Sequence, residues 1–249
     1  MYNNGFFAPF ISAGPFALTI IIILFLMSVI TWAIFFRKLR QFRRARVQTR
    51  SFLNVFGYRR GLEDYQELTR LFPDSPLSAL LTAAVEEWQM LREQFGREGD
   101  REVMGQLVFN ITEAMERAGS RQSDLLESSL SFLAITTMVA PFLGLLGTVQ
   151  GVLRTFLSLR GAQLPTLQLI APGISDALVT TVMGLLVAIP AALFYNYCVA
   201  HTRGLQSEME RFISELTGVF RRELVVSGWS PAGTVVSHRG SNPGRGPRE

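Results

Sequence analysis

A chain of 249 residues with 48% apolar residues and a mean hydropathy of +0.25 is too hydrophobic for one or two ordinary soluble domains. Its single cysteine, Cys198, excludes an intrachain disulfide and a cysteine-cluster metal site, and His201 and His238 are too isolated to replace one. The net charge of +4 comes from basic residues concentrated beside apolar stretches, which points to anionic lipid and away from nucleic acid.

Residues 1–15 contain Gly5, Pro9, Gly14 and Pro15, a poor regular helix, and are expected to form an outer (periplasmic) N-terminal segment. Residues 16–36 lack charge over the roughly 20 positions a helix needs to cross a hydrocarbon core of about 30 Å, with Trp32 near one interface. A cleaved signal sequence fits poorly, because no basic residue precedes the stretch and no small-residue cleavage site closes it. Instead Arg37, Lys38, Arg40, Arg43, Arg44 and Arg46 follow at once. Basic clusters beside a span are retained in the cytoplasm, so the N-terminus is expected outside and residues 37–127 inside.

The first helix is expected to continue through the basic stretch towards Arg60. Pro73-Asp74-Ser75-Pro76 then ends one helix and begins another, with Ser75 placed to cap free amides and Pro76 in the first turn. Leu77, Leu80, Leu81, Ala84, Val85, Trp88 and Leu91 recur at helical spacing and predict an apolar stripe. A break is expected near Gly96 to Asp100. From Arg101, Val103, Leu107, Ile111, Ala114, Ala118, Leu125 and Leu126 approximate one face, and no proline intervenes before the second apolar stretch at 128–157. One long helix is therefore predicted to project well below the membrane. A short outer loop follows at 158–170, where Arg160 is the sole charge, then a third span at 171–200. Leu205, Met209, Phe212, Leu216 and Val219 extend it at heptad-like spacing through 201–225. Residues 226–249, rich in Gly, Pro, Ser and Arg, are expected to be disordered. The fold class is all-α: a polytopic membrane protein with three transmembrane helices, the second and third extended into a cytoplasmic helical bundle.

Small residues form stripes in two spans. Ala140, Gly144, Gly147 and Gly151 share one face of the second, and Ala177, Thr181, Gly184, Ala188 and Ala191 share one face of the third. Close helix packing explains both stripes, which would also suit a tight oligomer around a central partner helix. Thr148 interrupts the second span and Thr180 with Thr181 the third. A membrane threonine usually bonds back to the preceding turn. A ring of threonines from several subunits would differ, since hydroxyls donate and accept and can support a carboxyl group or pass a proton without carrying charge. Asp176 is the only acidic residue between Gln150 and Ala200. It suits an ion-binding group, an entrance that attracts cations, or an ordinary helix-start carboxylate. The Gly144–Gly151 run has no phosphate-loop lysine and lies inside a span, so ATP is not the expected energy source. No cofactor and no enzymatic activity are expected.

The segment Ala140-Pro-Phe-Leu-Gly-Leu-Leu-Gly-Thr-Val-Gln-Gly151, with Thr166 to Ala191, strongly resembles the TolQ/ExbB/MotA proton-channel family. The TolQ branch is most similar, through Thr166-Leu-Gln, Ala171-Pro-Gly-Ile, Thr31-Trp-Ala-Ile34 and Tyr195-Asn196. The resemblance covers roughly Phe16 to Leu224, with most specificity between Ala140 and Ala191. It implies a homopentamer around two single-span helices of the TolR/ExbD type, each with a membrane aspartate, and a TolA/TonB-like protein beyond them. Thr148 and Thr181 match threonines that face the partner aspartate, and Asp176 matches an acidic position usually occupied by Glu. The implied function is a subunit of an inner-membrane motor driven by proton-motive force, of the Tol-Pal type that supports outer-membrane integrity and division. The alternatives are an ExbB-like subunit energising TonB-dependent uptake, a partner-independent ion channel in which Asp176 carries the ion, and a non-conducting membrane scaffold.

Overall fold

The computed structural model describes residues 15–57, 62–95, 101–159 and 167–226. The N-terminal segment before Pro15, the break at Gly96–Asp100, Arg160 and the tail beyond Val226 lie outside these residues. The described chain forms six helices and no strand: α1 (Pro15–Phe56), α2 (Leu62–Leu71), α3 (Pro76–Phe95), α4 (Arg101–Glu127), α5 (Leu130–Leu159) and α6 (Leu167–Val226). Three of the helical stretches are long and apolar enough to cross a membrane.

Length decides how these helices can sit. At about 1.5 Å per residue, α1 is about 63 Å long and α6 about 90 Å, two to three times the hydrocarbon thickness. Each must therefore continue out of the bilayer. In the apolar portion Ile20 and Leu24 of α1 pack with Ala140 of α5 and with Val187 and Ala188 of α6, joining the three spans. Their remaining faces are greasy and open, among them Phe25, Phe142, Leu186 and Leu193. Where the apolar stretch of α1 ends, Phe35 stacks on Phe194 at 3.7 Å and Trp32 meets the same ring edge-on.

Beyond the spans the helices gather round a second apolar core. Phe52 and Phe56 of α1 close on Phe212 of α6, with centroids 5.5 and 5.2 Å apart, and Tyr65 of α2 stacks on Phe56. The stripe on α3 is buried from Leu77 to Leu91, with Trp88 partly covered. Leu205, Met209, Phe212 and Leu216 of α6 are buried as well. The turn at Pro73–Pro76 is pinned to α1: Gln48 Nε2 donates to Asp74 Oδ2 (3.0 Å), and the Asp74 amide donates to Gln48 Oε1 (2.7 Å). Pro76 opens α3, but the Ser75 hydroxyl engages Thr49 Oγ1 at 3.1 Å where a cap was expected, while the Ser75 carbonyl accepts the Ser78 amide.

Two boundaries depart from the sequence reading. The outer loop expected at 158–170 is helical at both described ends, since α5 runs to Leu159 and α6 begins at Leu167. The predicted continuous helix is interrupted between α4 and α5, where Ser129 adopts φ 69°, a left-handed conformation costing about 1–2 kcal/mol for a residue with a Cβ. Leu125, placed on the apolar face by spacing, is 57% exposed beside this interruption.

Lys38 holds the interruption together. Its side chain is only 1% exposed, and Nζ donates to the Leu126 (2.8 Å) and Leu125 (3.1 Å) carbonyls, with Gln41 Oε1 and Ser128 Oγ at 3.1 and 3.2 Å. A helix end leaves carbonyls without intrahelical partners, and a cation there is favoured by the helix dipole. Arg37 adds a bond from its guanidinium to Ser129 Oγ at 2.7 Å. Lys38→Ala is expected to cost about 1–3 kcal/mol, chiefly through loss of the donor to the Leu126 carbonyl, read by thermal unfolding in detergent. Burial pushes the Lys38 ammonium below its ordinary 10.5, aided by the Arg37 charge. Between that lowered value and 10.5 the folded chain binds fewer protons than the unfolded one, so stability rises with pH across that window. Lys38→Ala should lose this rise.

Candidate functional site

The most extensive helix contact joins α5 to α6. It is made by the two small-residue stripes, which face each other within one chain. A Cβ at Gly144 would lie 2.9 Å from the Thr180 carbonyl oxygen and 3.0 Å from Thr181 Cα. At Gly184 it would lie 2.6 Å from the Ala140 carbonyl oxygen, and at Gly151 2.7 Å from Ala177 Cβ. Gly147 lies directly against the Thr180 side chain. Ala177 and Ala188 are buried in the same contact region at 2% and 6% exposure. Backbone meets backbone here, so the geometry of this seam is tightly fixed.

Rigid backbones bring Thr148 and Thr181 together. Their hydroxyls are hydrogen-bonded to each other across the seam. Thr148 Oγ1 is also 3.0 Å from the Ala177 carbonyl oxygen and 3.2 Å from that of Gly144, which Thr181 Oγ1 approaches to 3.3 Å. Each hydroxyl carries one proton and two lone pairs. The mutual bond uses one proton, and the other can go to a carbonyl or turn towards a group outside the chain. Both threonines are half-buried, so part of each residue faces the outside of the chain. Thr180 differs: it is fully buried, and its hydroxyl bonds the Ala177 (2.7 Å) and Gly144 (3.1 Å) carbonyls.

Asp176 stands apart from this pair. Five residues before Thr181, it lies about 7.5 Å along the helix and about 140° around it. It is half-buried and has no hydrogen bond or ion pair among the described residues. No group of His, Cys, Asp and Glu among the described residues is arranged to hold a metal ion.

Residues 74–211, which include α5 and both threonines, match the MotA/TolQ/ExbB proton channel family. That match covers more than half of the sequence. The chain belongs to this family. It is 30% identical over 222 residues to the Tol-Pal system protein TolQ of Haemophilus influenzae, covering 88% of this chain and 95% of that protein. It is 36% identical over 155 residues to the Tol-Pal system protein TolQ of Pseudomonas aeruginosa, covering 62% and 65%. The biopolymer transport protein ExbB of Salmonella typhimurium is 32% identical over 174 residues, covering 70% and 68%. Family membership and the three apolar helices make the chain a multi-pass inner-membrane protein of a TolQ-like kind, in a family of proton channels.

Within this family framework, sequence reasoning left some residues unassigned. Thr180, recognised only as an interruption of the third span, is the seam's most buried hydroxyl; its position three residues after Ala177 on the small-residue stripe was the available signal. Thr155 packs directly against Gly173, extending the seam towards the far ends of both spans. Its hydroxyl bonds back to the Gly151 carbonyl at 2.9 Å.

Proposed function

We propose that the chain is the TolQ-type subunit of a motor driven by proton-motive force, with protons passing along the α5–α6 seam opposite a carboxylate on a partner helix. The observation that carries this reading is the Thr148–Thr181 hydroxyl pair, held by a close backbone contact yet half-open to the outside of the chain. A hydroxyl turned outward can donate to an ionised aspartate, and the same oxygen can accept from the protonated acid. Neutralising that aspartate removes the cost of placing it against an apolar helix face, which frees the partner to move to the next subunit. A proton falling through about 150 mV supplies roughly 3.5 kcal/mol for the step.

The rest of the proposed assembly is what the family resemblance implies: five copies of this chain around two TolR-like single-span helices, coupled to a TolA-like protein serving outer-membrane integrity and division. The basic residues after Phe36 support an orientation with the N-terminus in the periplasm and the second core in the cytoplasm. Below the threonines the same helical faces continue through Ala134 of α5 and Tyr195 and Val199 of α6 to a cavity of about 470 Å³ that also includes Glu127, Thr202 and Gln206. This cavity is the proposed inner exit. Asp176 is assigned to the outer entrance, attracting protons without touching the threonines. Asp176→Asn is then expected to reduce proton flux about tenfold and Asp176→Glu to preserve it, measured in proteoliposomes.

The assembly is tested by the native mass of the complex extracted gently from its own membranes, with each co-purifying chain identified. Five copies with two of a small single-span protein bearing a membrane aspartate are expected. A partner-free oligomer would refute the proposed assembly.

A further inference from the structure

The basic stretch of α1 has two distinct faces. Arg37, Arg40 and Arg44 fall within about 60° of one another around the helix, whereas Arg46 and Arg50 point roughly 110–150° away from the centre of that set, with Arg43 in between. The first set lines a cavity of about 790 Å³ between α1, the Pro73–Pro76 turn and α4. That volume lies within the roughly 300–1,000 Å³ of small-ligand sites. All three arginines are exposed, and none has an ion-pair partner among the described residues. The one carboxylate on the lining, Asp74, bonds the Gln48 side chain. Arg37 is oriented by Ser129 while keeping its guanidinium open.

The surface directly above has a different character. Ile22, Leu26 and Ile30 lie on the same helical face as Arg37 and Arg44 and are 50%, 54% and 43% exposed. Ala33 and Phe36 belong to the cavity rim. An open apolar track therefore descends the span and ends at three unpaired cations, at the depth where headgroup phosphates lie. Free phosphate would use the arginines but leave the track unused.

We propose that this cavity binds the phosphate headgroup of an anionic phospholipid, with an acyl chain along Ile22, Leu26 and Ile30. The site depends only on α1 spanning a membrane, so it stands or falls separately from the proton pathway.

The test uses the intact complex in nanodiscs of equal phosphatidylglycerol and phosphatidylcholine, with bound lipid counted by native mass spectrometry. Arg40→Gln/Arg44→Gln leaves the Arg37–Ser129 bond intact and is expected to lower retained phosphatidylglycerol on the order of tenfold or more. Arg46→Gln/Arg50→Gln removes the same charge from the other face and should retain the lipid. Equal losses in both variants would overturn the site in favour of diffuse surface attraction. No loss in either, or displacement of the lipid by millimolar inorganic phosphate, would also overturn it.

Discussion

Thr148→Val and Thr181→Val are each expected to lower proton flux through the assembled complex by about 100-fold or more, the usual scale for removing a positioned proton-transfer or hydrogen-bonding group. Valine keeps the branched shape of threonine, so the α5–α6 seam should assemble normally. What it removes is the hydroxyl bridge between the two helices. With one hydroxyl gone, the survivor is left to the Gly144 carbonyl or, at Thr148, the Ala177 carbonyl, and no longer has a neighbour with which to exchange a proton. The double variant should be little worse than either single one, since residues acting as a unit do not add. Flux in reconstituted vesicles, alongside native mass to verify assembly, checks this. Unchanged flux in both assembled variants would show that protons cross without this hydroxyl pair.

Gly184→Val is expected to disrupt the membrane domain itself. Its Cβ would come 2.6 Å from the Ala140 carbonyl oxygen and 3.1 Å from Gly144 Cα. These are backbone atoms, which no rotamer change can move aside, so α5 and α6 must separate. Overpacking costs of about 1–3 kcal/mol are usual where side chains can shift, and this site offers no such relief. A loss at or above that range is expected, with a lower thermal unfolding temperature in detergent. Gly204→Ala and Gly218→Ala in the same helix provide the contrast. Nothing lies within 4 Å of either new methyl, so each should gain about 0.5–1 kcal/mol from helix propensity.

Local patterns were legible in the sequence where one kind of residue repeats along one helix. The apolar stretches disclosed the spans, the α3 stripe its buried face, and the small-residue intervals the faces of close approach. The Thr148 and Thr181 pair could be selected by motif, but spacing alone did not reveal that the two small-residue stripes meet inside one chain. That outcome depends on how α5 and α6 are juxtaposed, a non-local choice. Lys38 was hidden for a similar reason. Among six basic residues that read alike, only the turn at Ser128–Ser129 on a distant segment makes one of them a buried cap. The turn itself carries neither proline nor glycine, and a left-handed serine gives no sequence signal. The separation of Asp176 from Thr181, by contrast, was available from helical geometry alone.

That this chain conducts protons only as one half of a complex is the proposal on which the mechanism rests. It is tested most directly by proton flux into vesicles holding the chain alone or with its single-span aspartate partner, under matched proton and sodium gradients. Flux is expected with the partner present, driven by the proton gradient and lowered about 100-fold or more by Thr148→Val. Equal flux without the partner would identify a self-contained channel, and absence of flux in the assembled complex under either gradient would contradict ion conduction altogether.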